Sequence, residues 1–63
     1  MRRFRLRVFE QNGSWFFRWD NIDVPTVCYV TSPLESKEQA ESEKQLFMES
    51  EKQKTGMVSF ESD

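Results

Sequence analysis

Residues 3 to 9 read Arg3-Phe4-Arg5-Leu6-Arg7-Val8-Phe9. This polar–apolar alternation holds strictly through Val8 and predicts a half-buried strand with Phe4, Leu6 and Val8 on one face. Arg3, Arg5, Arg7 and Phe9 share the other face. Asn12-Gly13 follows, a dipeptide suited to the two positive-φ positions of a type I′ hairpin turn. With those two residues as the loop, Leu6 lies opposite Trp19, Val8 opposite Phe17, and Glu10 opposite Trp15. On the reverse face Phe9 meets Phe16, Arg5 meets Asp20, and Arg7 meets Arg18. Both strands then present apolar side chains on the same side, and a one-residue slip would destroy that agreement. Phe4, Leu6, Val8, Trp15, Phe17 and Trp19 are therefore the expected inner face.

Asp20 to Pro25 reads as a loop, since Pro25 cannot donate to a ladder. Thr26 to Thr31 is β-branched and aromatic, hence a third strand. Its inner face is open between Val27 with Tyr29 and Cys28 with Val30. Ser36-Lys37-Glu38-Gln39 fits a capping box, and from Lys37 to about Lys54 the residues are strong helix formers without Gly or Pro. Gly56 stands where the left-handed residue after a helix belongs. Ala40, Leu46 and Phe47 form a thin apolar stripe with Met48 to one side, which predicts docking by the middle turn and fraying after about Ser50. Met57-Val58-Ser59-Phe60 is too short a pattern to decide between a fourth strand and a tail. The expected fold is α+β: a three-stranded antiparallel meander (residues 1–54, with one helix on one face), followed by a short strand or tail at 55–63.

Sixty-three residues make one domain. The chain carries six Phe, two Trp and one Tyr, an aromatic load that substitutes for the staples a domain this small often needs. Cys28 is the sole cysteine, so no disulfide closes within the chain, and its expected role is that of a small buried hydrophobe. With no histidine, the Ser-His-Asp and Cys-His arrangements and the usual zinc sets are excluded. Gly13 and Gly56 are too few for a phosphate-cradling loop. Glu35, Glu38, Glu41, Glu43, Glu49 and Glu51 read as a solvated helix row rather than as acid/base groups in a cleft. The expectation is a protein that is no enzyme and takes no cofactor, metal or small-molecule substrate. Apolar runs of two to four residues cannot cross a bilayer, and no apolar segment follows Arg2-Arg3 as in a signal peptide, which leaves the cytoplasm as the default compartment.

The net charge of −2 is unevenly distributed. Residues 1–31 hold five arginines against Glu10, Asp20 and Asp23, whereas residues 32–63 hold four lysines against seven Glu and one Asp. Arginine makes planar bidentate contacts, whereas lysine mostly solubilises. The hairpin's outer face is thus the candidate binding face: Arg3, Arg5, Arg7, Phe9, Phe16 and Arg18. Its plain reading is a charged exposed surface with Arg5 paired to Asp20 and Phe9 stacked on Phe16.

Two families share this βββα order. Gly13-Ser14-Trp15-Phe16-Phe17-Arg18-Trp19 and the helix entry Thr31 to Glu41 resemble the small bacterial YegP-like domains, which put an aliphatic residue where this chain has Lys44. The same Gly-x-Trp-aromatic-aromatic-Arg run, with Leu34 to Glu41, is similar to the arm-type DNA-binding domain of phage integrases. The first resemblance implies pairing of copies, hence a homodimer; the second implies DNA contact by the sheet. Two functions are thus expected: an interaction module that self-associates or binds a protein partner through the sheet, or a nucleic-acid-binding module that lays its arginines along phosphates. An acidic chain is repelled by DNA at long range, which favours the first.

Overall fold

Asn12 and Gly13 both take positive φ, 55° and 82°, and the alternation on either side folds back on that turn. In the computed structural model, which describes residues 2–62, strand β1 (Arg2–Gln11) pairs antiparallel with β2 (Ser14–Asn21). Leu6 faces Trp19, Val8 faces Phe17 and Phe9 faces Phe16, the register set by the turn and the apolar pattern. Met1 and Asp63, the outer limits of the ranges expected from sequence, lie outside the described residues.

Asn21 ends β2 by accepting hydrogen bonds on Oδ1 from the backbone N–H groups of Asp23 (2.9 Å) and Val24 (3.1 Å). Val24 to Val27 then make a β-turn closed by Val27 N–H donating to Val24 O, with Pro25 in the position its fixed φ favours. Strand β3 is only Cys28–Val30, antiparallel to β2, shorter than the Thr26–Thr31 span expected. Pairing along β2 resumes after a slip of one residue. Thr31 N–H donates to Phe17 O while Thr31 Oγ1, in place of its carbonyl, accepts from Phe17 N–H, and Leu34 rather than Pro33 exchanges both backbone bonds with Trp15. Pro33 has no N–H to offer, so the extra residue forms a bulge.

Helix α1 (Lys37–Thr55) starts at Ser36, whose Oγ accepts from Gln39 N–H, while Gln39 Oε1 accepts from Glu35 N–H. It ends at Gly56, at φ 71°, whose N–H donates to Lys52 O. The chain then returns as β4 (Val58–Ser62), which lies beside β1 and parallel to it. The sheet is therefore four-stranded and mixed, in the order β3-β2-β1-β4. This corrects the three-stranded antiparallel expectation, because β1 is an inner strand and its second edge is filled by the segment whose two alternating pairs were too few to read.

The core lies between α1 and the sheet. Phe4, Leu6, Phe17 and Ala40 are buried, with Val8, Trp15, Trp19, Leu34, Phe47, Met48, Val58 and Phe60 packed half-buried around them. Phe47 is the helix's main contact, stacked on Trp19 at 4.8 Å and edge-on to Phe4 at 5.2 Å. Two expectations about the helix fail. Leu46 points away from the core at 61 % exposure and Met48 packs in its place, so the docked face is rotated toward Met48 and Glu51. Nor does the helix fray after Ser50. Glu51, expected in a solvated row, is 5 % exposed and is met at 2.9 Å by Arg2 of β1 and at 3.4 Å by Lys54.

Arg2 also lies over the Phe4 ring at 5.1 Å, so it ties the last turns of α1 to the first residues of β1. Removing one member of a mostly buried ion pair leaves the other poorly solvated, whereas replacing the buried member by an apolar side chain avoids that cost. Arg2→Ala should lower stability by about 2 kcal/mol, discounted because the arginine is half exposed. Adding Glu51→Met should recover most of it. Urea unfolding of the single and double variants measures both. An unchanged midpoint for Arg2→Ala would mean that Arg2 does not hold this end of the helix.

Candidate protein-interaction face

One helix covers one face of the sheet, and the other face has no layer on it. Strand alternation sends Arg3, Arg5, Arg7 and Phe9 of β1 to that outer face, with Phe16, Arg18 and Asp20 of β2, Cys28 and Val30 of β3, and Ser59 and Glu61 of β4. All six residues expected to form the binding face are on it. They do not form one site. The ladder partners divide them into two halves of different charge.

In the half nearer the start of β1, every arginine has acid beside it. Arg3 makes a two-pronged contact with Asp23, 2.6 Å from Nη2 to Oδ1 and 3.4 Å from Nε to Oδ2. The hydrogen bond from Arg3 holds the Asp23 carboxyl below its ordinary value, and the same bond raises the Arg3 guanidinium. Arg5 stands in a row between Asp20 on β2 and Glu61 on β4. The expected Arg5–Asp20 pairing therefore holds as a ladder position, but the ion pair that forms is Arg3–Asp23. Two of these acids, Asp23 in the loop after β2 and Glu61 on β4, lay outside a reading of the hairpin alone.

The half nearer the turn is different. Arg7 and Arg18 lie opposite each other on β1 and β2, are both exposed, and form no salt bridge among the described residues. Phe9 and Phe16 stack beside them at 5.3 Å with ring planes 18° apart, and the Arg7 guanidinium lies over the Phe9 ring at 5.3 Å. Toward β3 the floor continues through Val30 and Cys28. Phe9, Phe16, Arg18, Cys28 and Val30 line a shallow open depression of about 630 Å³. Cys28 is exposed there, not buried as expected, because pairing with Asp20 turns its side chain to the outer face, which no layer covers. The alternatives left open for β3 resolve with Tyr29 on the helix side, beside Trp19, and Cys28 and Val30 on the outer side.

This arrangement can grip an anionic, partly apolar surface. Two guanidiniums with free donors accept a carboxylate or phosphate in a planar fork. A stacked aromatic pair with an adjoining valine offers area that water solvates poorly. Among the described residues, no three His, Cys, Asp or Glu side chains converge as a metal site, and no helix is long and apolar enough to cross a membrane.

The chain matches no protein-family model, no curated protein and no solved structure, so neither the YegP-like nor the integrase-like resemblance gains support from a relative.

Proposed function

We propose that the protein is a small non-catalytic interaction module that binds a protein partner through the turn half of its open sheet face. The observation that carries this reading is the juxtaposition of Arg7 and Arg18, neither in a salt bridge among the described residues, with the stacked Phe9–Phe16 pair. Arginines and aromatics in a partly desolvated setting are the side chains on which protein interfaces most depend. The fitting partner surface is an acidic segment carrying an apolar side chain, with the carboxylates on Arg7 and Arg18 and the apolar group on Phe9, Phe16 and Val30.

The same two arginines and two rings also favour nucleic acid, with phosphates on the guanidiniums and a base stacked on a ring. That is the second reading. It is weaker than the sequence made it, because Arg3 is bonded to Asp23 and Arg5 stands between Asp20 and Glu61. A track of four phosphate contacts shrinks to two.

Affinity capture with the whole chain separates these readings. A specific protein should be retained by wild type and by the Leu46→Ser surface control, and lost with Arg18→Glu or Phe16→Ser. In parallel, a mixed-sequence DNA duplex is titrated at low salt and followed by backbone NMR. Shifts at residues 7, 9, 16 and 18 that vanish steeply with added salt would assign the face to nucleic acid instead. Capture insensitive to the face variants, together with no shifts, would remove both readings.

A further inference from the structure

The exposed large apolar side chains are not scattered. Val24, Val27, Tyr29 and Val30 are four of the six on the described surface, and all belong to β3 or the turn leading into it. No charged residue occurs between Asp23 and Glu35 in a chain that is 32 % charged. Helix α1 lies over β2, β1 and β4 and makes no close approach to β3. The inner side of this edge is therefore open as well, where Tyr29 is 54 % exposed and shares a groove with Trp19, Leu46 and Phe47.

Free sheet edges are normally blunted by a charge, a proline, a bulge or a covering element. The far edge, β4, carries Glu61. β3 is short, and the turn at Pro25 and the bulge at Pro33 bound it, but within Cys28-Tyr29-Val30 it carries no charge, proline or bulge, only residues that favour strands. Its backbone is set for pairing. Val27 O accepts from Asn21 N–H and Thr31 N–H donates to Phe17 O, so the odd-numbered residues direct their polar groups to β2. By strand alternation the N–H and C=O groups of Cys28 and Val30 point outward.

We infer that β3 is a docking strand for a second copy of this chain, pairing antiparallel with its counterpart about a two-fold axis at Tyr29. Three features select this register. Cys28 and Val30 then oppose Val30 and Cys28 of the other copy, and all four outward groups of each strand are bonded. Tyr29 faces Tyr29 in the position between hydrogen-bonded pairs, where side chains are closest. Since Tyr29 already neighbours Trp19, with ring centroids 6.5 Å apart, the helix-side face gains a row of four rings.

The third feature is charge. Arg18 is the ladder partner of Val30, and Asp20 that of Cys28. In the Tyr29-centred register the outer-face row runs Arg18, Val30, then Cys28 and Asp20 of the other copy, so opposite charges share each row. Centring on Cys28 would align Asp20 with Asp20, and centring on Val30 would align Arg18 with Arg18. The same register sets Pro25 opposite Pro33, which ends the ladder on both sides. The product is a closed pair with one eight-stranded sheet and both helices on one face.

This edge adjoins the Arg7/Phe16 face and shares Val30 and Arg18 with it, but Phe16 takes no part in the strand pairing, so Phe16→Ser lets the two proposals fail separately. Sedimentation equilibrium of the whole chain should show a concentration-dependent mass approaching twice the 7.6 kDa monomer. Val30→Pro removes one outward N–H, a change an edge strand tolerates. It should leave the circular dichroism folded and weaken association at least tenfold, while Phe16→Ser leaves association intact. Val30→Cys should give a disulfide-linked dimer with the native Cys28 under mild oxidation, because the two positions face each other. A monomeric mass at millimolar concentration would overturn the proposal. So would a dimer indifferent to Val30→Pro, or a Val30→Cys variant that forms no covalent dimer. A monomer that instead takes up an added extended peptide at residues 28–30 would overturn the second copy and keep only the docking strand.

Discussion

Phe4→Ala is expected to unfold the domain or leave it barely stable. Phe4 has no exposure to solvent and stands at the centre of the aromatic core, edge-on to Trp19 at 5.5 Å and to Phe47 at 5.2 Å, and stacked near Phe60 at 6.2 Å. It thus joins β2, the helix and β4 through one ring. Truncating a buried phenylalanine costs about 3–5 kcal/mol, transfer and cavity together. A domain of this length holds about 3–9 kcal/mol in all, so the loss consumes from about a third to all of the margin. Neighbouring rings cannot collapse into the space without giving up their own contacts. The check is a thermal melt by far-ultraviolet circular dichroism, with Phe9→Ala as a comparison on the open face. A cooperative Phe4→Ala transition within about 5 °C of wild type, less than roughly 1 kcal/mol in a domain this small, would show that the core is not built around this ring.

A chain truncated after Gly56 should also fail to fold cooperatively. The truncation removes all of β4, and with it the ladder running from Arg2–Val58 to Leu6–Ser62, and the Val58 and Phe60 side chains that pack against the core. Phe60 approaches both Phe4 and Phe47, so its absence opens the buried rings to water as well as freeing the edge of β1. The point variant Phe60→Ala separates packing from strand pairing. It should remain folded but melt roughly 8–16 °C lower, about 2 kcal/mol at the sensitivity expected of a small domain. If the truncated chain keeps the wild-type melting temperature, β4 is an appendage and the three-strand reading of the sequence is the better description of the stable unit.

The parts of the fold legible in the sequence are those fixed by neighbours along the chain. Asn12-Gly13 and the alternation around it set the hairpin register, because turn geometry and inner-face burial demand the same pairing. Ser36 and Gly56 set the helix ends, because both act on backbone groups within four residues. What the sequence hid depends on distant partners. Val58 to Ser62 becomes a strand because β1 has a free side, a fact carried by residues more than fifty positions away. Glu51 is buried because Arg2 meets it, and that contact helps rotate the helix so that Met48, rather than Leu46, faces the sheet.

The candidate face shows the same division. Its six members could be read from parity alone. Asp20 opposite Arg5 was legible too; that Arg3 would be bonded to an acid, and Arg5 flanked by a second one, required the positions of Asp23 and Glu61. Cys28 and Val30 joined the face for a similar reason. Which way β3 presented its side chains was settled by pairing with Trp19, not by its own pattern.

The parallel pairing of β4 with β1 governs the order in which this fold can be completed. The β1–β2 hairpin closes over a two-residue turn and needs nothing else. Phe4 and Phe60, by contrast, are ladder partners separated by nearly the whole chain, and loop closure over that distance comes late and slowly. During synthesis β1 waits with one side open, next to Phe4 and Leu6, until everything between has been made. Arg2, Arg3 and Arg5 line that interval with like charge. In the nascent chain they discourage pairing with another copy's strand, before Arg2 has met Glu51 or Glu61 has come to stand beside Arg5.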